Sequence, residues 1–119
     1  MAMRFEFATA AKIVFGAGTL RETGASAKEF GQRALVVTGR DAKRAGSLLK
    51  ILREAGVNAA TFSVAGEPEL STIEQGAALA KKEKCGSVIG FGGGSALDAA
   101  KAIAAMLAND GDEIGRAHV

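Results

Sequence analysis

The sequence predicts an open α/β domain, a parallel β-sheet with helices on both faces. Three observations carry that expectation. Strand-like and helix-like segments alternate along the 119 residues; Ala34–Thr38 is a continuous apolar run of the kind buried on both faces of a parallel sheet; and a glycine-containing turn follows the strands that end near Thr38, Val64 and Phe91. Length and composition agree with one domain over residues 1–119, since 48% hydrophobic residues fill a single core of modest size. Fifteen basic residues against thirteen acidic ones leave a formal charge of +2 spread along the chain, so nucleic acid is not the expected partner. The opening Met-Ala-Met-Arg lacks the long apolar region of a secretory signal, and no apolar run reaches the roughly 20 residues of a membrane span. A soluble cytoplasmic protein is the simplest expectation.

Each element has its own local reason. Lys12–Phe15 reads as a short strand, paired with Phe5–Ala8 and ended by Gly16 and Gly18. Residues 19–30 read as a helix closed by Gly31, and Ala34–Thr38 as the first buried strand. Asp41 is the expected N-cap of the next helix, whose Ala45, Leu48, Leu49 and Leu52 recur at i, i+3, i+4 and i+7 before Gly56. Ala60, Phe62 and Val64 alternate as in a half-buried strand, and Gly66-Glu-Pro68 breaks the pattern. Ser71-Thr-Ile-Glu74 reads as a capping box, opening a helix with Lys81, Lys82 and Lys84 at its dipole-negative end and a stop at Gly86. Ser87–Phe91 is then a strand, and a final helix follows the glycines. The lone cysteine, Cys85, has no partner for a disulfide or a metal pair and reads as a small residue near a helix end rather than a catalytic thiol.

Ligands of open α/β sheets bind beyond the carboxyl ends of the strands, which directs attention to Gly39, Gly66 and the run Gly92-Gly93-Gly94-Ser95. Three consecutive glycines let the chain turn sharply and bring its amides close to a ligand, because no Cβ intervenes. Ser95 is the expected N-cap, with Asp98 completing a capping-box variant, and Ala96, Ala99, Ala100, Ile103, Ala104 and Leu107 form one apolar stripe. Free amides and about half a positive charge at such a helix start favour a diphosphate; the alternative is a glycine-rich turn with ordinary capping. Neither G-x-G-x-x-G nor G-x-x-x-x-G-K-[ST] is present: Arg21 and Leu97 occupy the final glycine positions.

The stretch GFGGGSALDAAKAIA, residues 90–104, resembles the G-G-G-S-x-x-D-x-A-K signature of the iron-containing alcohol dehydrogenase family. KIVFGAGTL (12–20), ALVVTGRD (34–41) and GEPELSTIEQG (66–76) are similar to further segments of that family, in the same order, so the likeness reaches to about Asp112. The resemblance implies a Rossmann-like nucleotide-binding domain of an NAD- or NADP-dependent oxidoreductase that interconverts small alcohols with aldehydes or ketones. It also implies a second, helical domain whose aspartate and histidines hold Fe(II) or Zn(II). By that resemblance Gly94 and Ser95 fall on the positions that hold the cofactor diphosphate, with Gly92 and Gly93 giving the approach. Asp98 matches the signature and reads as capping and site architecture rather than proton transfer; Lys101 pairs with it, lines the cleft or is simply solvated. More distantly, dehydroquinate synthase chemistry is implied, though the glycine run is closer to the dehydrogenase form.

Two departures from the family pattern shape the remaining expectations. Gly39 stands where many members carry an acid that binds the adenosine ribose, and Arg40, Lys43 and Arg44 follow. Removing a carboxylate there relieves repulsion toward a 2′-phosphate, so the reading leans to NADP(H) or mixed use, with solvation of a helix face as the alternative. Past AMLANDGDE the chain reads IGRAHV, and residues 113–119 are expected to form a frayed tail carrying the one histidine, His118. No cluster of metal-ligand spacing is found in the sequence. The expectation is therefore a cofactor-binding domain inactive alone, with no catalytic or metal residues of its own and with self-association through uncovered apolar surface. A non-catalytic nucleotide-binding or protein-interaction module is the second class.

Overall fold

The computed structural model of the chain describes residues 12–15, 20–40 and 42–115, with side chains described over 22–40 and 43–109. Strand β1 (Lys12–Phe15) is followed by helix α1 (Leu20–Lys28), β2 (Arg33–Thr38), a 3₁₀ turn (Ala42–Ala45), α2 (Gly46–Glu54), β3 (Asn58–Ser63), α3 (Leu70–Lys82), β4 (Ser87–Phe91) and α4 (Gly94–Gly115). The four strands pair in parallel in the order β1-β4-β2-β3. The predicted partner of β1, Phe5–Ala8, lies outside the described residues, as do Gly16 and Gly18. Among the described residues no helix is long and apolar enough to cross a membrane.

The pleat of the two central strands sorts their side chains into two cores. Leu35, Val37 and Val88 point to one face, where they meet Ile73, Ala77 and Ala80 of α3 and Ala99, Ala100 and Ile103 of α4. Ala34, Val36 and Ile89 point to the other, against Ala27 of α1 and Leu48 and Leu52 of α2. Successive residues of β2 thus serve opposite layers, which is why the strand has to be apolar without interruption. Leu35, Leu48, Leu52 and Ile103 are essentially inaccessible to solvent. Each such side chain contributes about 1.5–3 kcal/mol through burial. The helical stripes expected from the sequence are the buried ones, with Leu49 and Leu107 at the half-buried margins.

Helix starts depart from the sequence reading. Glu69, extended at φ −100°, caps α3 without a side-chain hydrogen bond, and its carbonyl accepts from the Ile73 amide at 3.1 Å. Ser71 is therefore already helical, and no Ser71–Glu74 capping box forms. Nothing between Pro68 and Ser71 resists helix, and Glu69 itself suits the positive end of the dipole. Before α2, the 3₁₀ turn intervenes and Ala45 stands at the cap, again without a side-chain bond. Asp41 lies outside the described residues.

Helix ends follow one rule with different residues. At α2, Val57 N–H donates to the Leu52 carbonyl at 2.8 Å and Gly56 N–H to Arg53 at 3.0 Å, with Gly56 at positive φ. The same pair of bonds closes α3, from Cys85 to Ala80 at 2.9 Å and from Lys84 to Lys81 at 3.1 Å. Here the left-handed position is Lys84, at φ 56°, rather than the glycine expected at 86. Gly86 is kept for another reason, since a Cβ there would collide with the Phe30 carbonyl. Lys84→Gly is expected to raise stability by about 0.5–1 kcal/mol and the unfolding midpoint by a few degrees in calorimetry. An unchanged or lower midpoint would contradict the strain assigned to this lysine.

Candidate functional site

The crossovers leave β2 and β4 in opposite directions. From β2 the chain passes through α2, on the face shared with α1, to the neighbouring β3; from β4 it passes into α4 on the other face. Between the carboxyl ends of β2 and β4 the exit loops diverge and leave a crevice, the switch point of a doubly wound sheet. A cleft of ≈ 550 Å³ opens there. Gly39, Arg40 and Arg44 wall it after β2, Val64 and Gly66 after β3, and Phe91 through Leu97 at the end of β4 and the start of α4.

Its β4 wall is built from backbone. Gly92 takes φ +133°, a conformation that side chains resist, and turns the chain from strand to helix in two residues. A Cβ there would lie 3.5 Å from the Gly39 amide nitrogen, so the two loops abut at this point. Gly93 and Gly94 have no such conformational requirement, and a Cβ on either would meet nothing within 4 Å. Packing within the described chain gives no reason for glycine at these two positions. Bare backbone facing open space is what a ligand approaching the amides requires.

Helix α4 begins two residues earlier than the sequence suggests. Leu97 N–H donates to the Gly93 carbonyl at 3.1 Å, making Gly93 the cap. Ser95 is therefore inside the first turn and is not the N-cap, and Asp98 lies too far along to complete a capping box. Glycine is an acceptable cap residue, so the helix can start as soon as the chain has turned. The amides of Gly93, Gly94, Ser95 and Ala96 are left without acceptors inside the helix, and they stand at the positive end of a 22-residue dipole.

Six of the eight residues singled out from the sequence come together: Gly39, Arg40, Gly92, Gly93, Gly94 and Ser95 all line the cleft. Asp98 and Lys101 are exposed on α4 outside that lining. Of the basic residues after Gly39, Arg44 joins Arg40 at the cleft and Lys43 does not. The apolar part of the lining, Val64, Phe91, Ala96 and Leu97, was not singled out; each reads in sequence as an ordinary strand or helix residue, and only the strand order brings them to one mouth.

Cys85 lies elsewhere, beside the amino ends of β2 and β3, in a dent of ≈ 220 Å³ with Arg33, Asn58 and Glu83. Burial, reinforced by the Glu83 carboxylate and opposed by Arg33, pushes its thiol from 9.0 up to about 11. The Arg33–Glu83 pair, 3.2 Å apart and exposed, contributes little to stability. Because the fold raises this pKa, the contribution of the thiol to stability is complete below about 9 and is lost as pH rises through about 11. Alkylation of Cys85 at about pH 8 is expected to run at least about tenfold slower than that of a free cysteine, with a rate still climbing above pH ~10. A reaction midpoint below that of a free thiol would contradict the burial argument. Among the described residues no three His, Cys, Asp or Glu side chains gather to hold a metal ion. These residues do not fit a metal centre.

Fold and cleft together define a Rossmann-like α/β domain, with its crevice at the switch point and a glycine turn feeding a helix. The chain belongs to the iron-containing alcohol dehydrogenases: the sequence profile of that family matches residues 10–118. It is 36% identical over 103 residues to an NAD-dependent methanol dehydrogenase of Bacillus methanolicus and 34% identical over 112 residues to a choline dehydrogenase of Bacillus subtilis, covering 82% and 90% of this chain. The chain spans 27% of the length of each. Among solved structures, an iron-containing alcohol dehydrogenase of Thermotoga maritima superposes with a TM-score of 0.66 at 30% identity, over 91% of this chain and 33% of that one.

Proposed function

We propose that the cleft holds the diphosphate of a nicotinamide dinucleotide, and that the chain is the cofactor-holding part of an alcohol dehydrogenase-like oxidoreductase. The observation that carries this reading is the open space before Gly93 and Gly94 at the amide end of α4. Oxygens of a diphosphate would accept from the Gly94, Ser95 and Ala96 amides, and the absence of side chains would let them approach to hydrogen-bond distance. Phe91, Val64 and Leu97 would exclude water from one side of the ligand, and Arg40 and Arg44 would supply positive charge at the other. When bound, the nicotinamide supplies the acceptor or donor of hydride for the interconversion of a small alcohol and its carbonyl form. The relative named as a methanol dehydrogenase is itself described as NAD-dependent.

The β2 end of the cleft bears on the choice of nucleotide. Gly39 offers no carboxylate to a ribose, and the two arginines favour an additional phosphate, so this reading extends to NADP(H) alongside NAD(H). The second functional class, a module without catalysis, gains no specific support from these features.

Two variants test the reading by calorimetric titration. Gly94→Val fills space that no described residue uses, so stability should stay within about 1 kcal/mol while affinity for either dinucleotide falls at least about tenfold. Retained binding would remove the glycine cradle from the argument. Gly39→Asp restores an acid at the end of β2 and is expected to lower affinity for NADP⁺ relative to NAD⁺ by about tenfold or more. An unchanged ratio between the two nucleotides would sink the assignment of this end of the cleft to the ribose.

A further inference from the structure

The carboxyl ends of β2 and β3 are joined by a hydroxyl pair that the diphosphate reading leaves unused. Thr38 is the last residue of β2 and Ser63 the last of β3, and they face each other in register. Thr38 Oγ1 lies 3.2 Å from Ser63 Oγ. The Thr38 carbonyl also accepts from the Val64 amide at 2.8 Å, so β3 holds Thr38 through side chain and main chain alike. Thr38 itself is only 1% exposed. By the alternation along β2, its side chain points to the same face as Ala34 and Val36, the face on which α2 packs. The turn carrying Arg44 leads directly into that helix.

Past Thr38 the anchoring thins: Gly39 is half-buried and abuts the Gly92 turn through its amide, the space where its Cβ would stand is open, and Arg40 is exposed. Both nevertheless wall the cleft, and Val64, the residue after Ser63, walls it from the β3 side. The last well-anchored point before this wall is therefore Thr38. We infer that Thr38 and Ser63 are a positioning pair: their hydroxyl bond sets where the Gly39–Arg40 segment enters the cleft, and so sets discrimination between dinucleotides with and without a 2′-phosphate. A cross-strand hydroxyl pair serving the sheet alone would affect stability and leave that discrimination untouched. The inference rests on the nucleotide reading proposed above.

Titrations of the chain and of Thr38→Val, Ser63→Ala and Thr38→Ser with NADP⁺, NAD⁺ and adenosine 5′-diphosphate separate these possibilities. Thr38→Val and Ser63→Ala are expected to weaken NADP⁺ by about three- to tenfold while NAD⁺ and the diphosphate probe change by less than about twofold, the scale of one hydrogen bond lost at one end of the cleft. Thr38→Ser keeps the hydroxyl and is expected to restore NADP⁺ affinity to within about twofold of the parent chain. Equal losses for all three ligands, or unchanged NADP⁺ binding in folded variants, would overturn the positioning role. Thermal melts identify any variant that fails to fold; Thr38→Ser then decides the matter, because loss of discrimination with the hydroxyl retained also overturns it. If the parent chain binds none of the three ligands, the nucleotide reading itself fails, a result visible before any variant is compared.

Discussion

Close contact between α4 and β4 governs where the cleft's amides stand. At Gly90, one residue before the end of β4, a Cβ would lie 2.9 Å from the Ala100 Cβ and 3.1 Å from a terminal methyl of Leu97. Alanine on the helix and glycine on the strand therefore meet without a spacer, and Ala99, Ala100 and Ile103 close the contact against the sheet. The two strand neighbours of β4 fix it laterally, through Val14↔Ile89 on one side and Val36↔Ile89 on the other. With strand and helix so constrained, only Gly92 and Gly93 remain to make the turn between them. The amide end of α4 is consequently held by the core, and its position does not depend on the flexibility of a loop.

The same core explains why the two walls of the cleft differ in character. The β4 wall is the beginning of a long helix packed along the sheet, and its donors are main-chain amides that cannot rotate away. The β2 wall is a short exit segment with an open Gly39 and two long arginine side chains, anchored by hydrogen bonds at Thr38. A rigid wall suits the part of a ligand common to all dinucleotides, and an adjustable one suits the part in which they differ. Among the described lining residues there is no carboxylate, imidazole or thiol. In the proposed function these residues hold and orient the ligand.

Most of this architecture was legible in the sequence because it rests on patterns of side-chain type. The unbroken apolar run at Ala34–Val37 follows from burial on two faces, and the stripe Ala96, Ala99, Ala100, Ile103 from one helical face meeting the sheet. Helix boundaries were less legible because capping is decided by backbone geometry. Ser71 and Ser95 are favoured cap residues, but Glu69 and Gly93 reached the cap positions first, and once a helix has started a later serine is simply part of it. Lys84 shows the reverse case, with a residue type that resists positive φ placed there by the closing bonds of α3. The cleft itself was legible at its glycines and not at Phe91, Val64 or Leu97. Phe91 and Leu97 flank one turn, and Val64 joins them only through the order β1-β4-β2-β3, which local patterning does not encode.

The packing of α4 on β4 also explains why the glycine run resisted a standard fingerprint. In G-x-G-x-x-G the third glycine lets the helix approach its strand closely. Here Leu97 occupies that place, and the close approach is achieved instead by a glycine on the strand, Gly90, beneath Leu97 and Ala100. The requirement for small volume at the helix–strand contact is unchanged; it has moved from helix to strand. A motif search sees a missing glycine, whereas the packing requires one glycine-sized gap at the crossing and accepts it from either partner. The consecutive glycines at 92–94 are thereby divided by role: Gly92 turns the chain, Gly93 caps the helix, and Gly94 opens its first turn to the cleft.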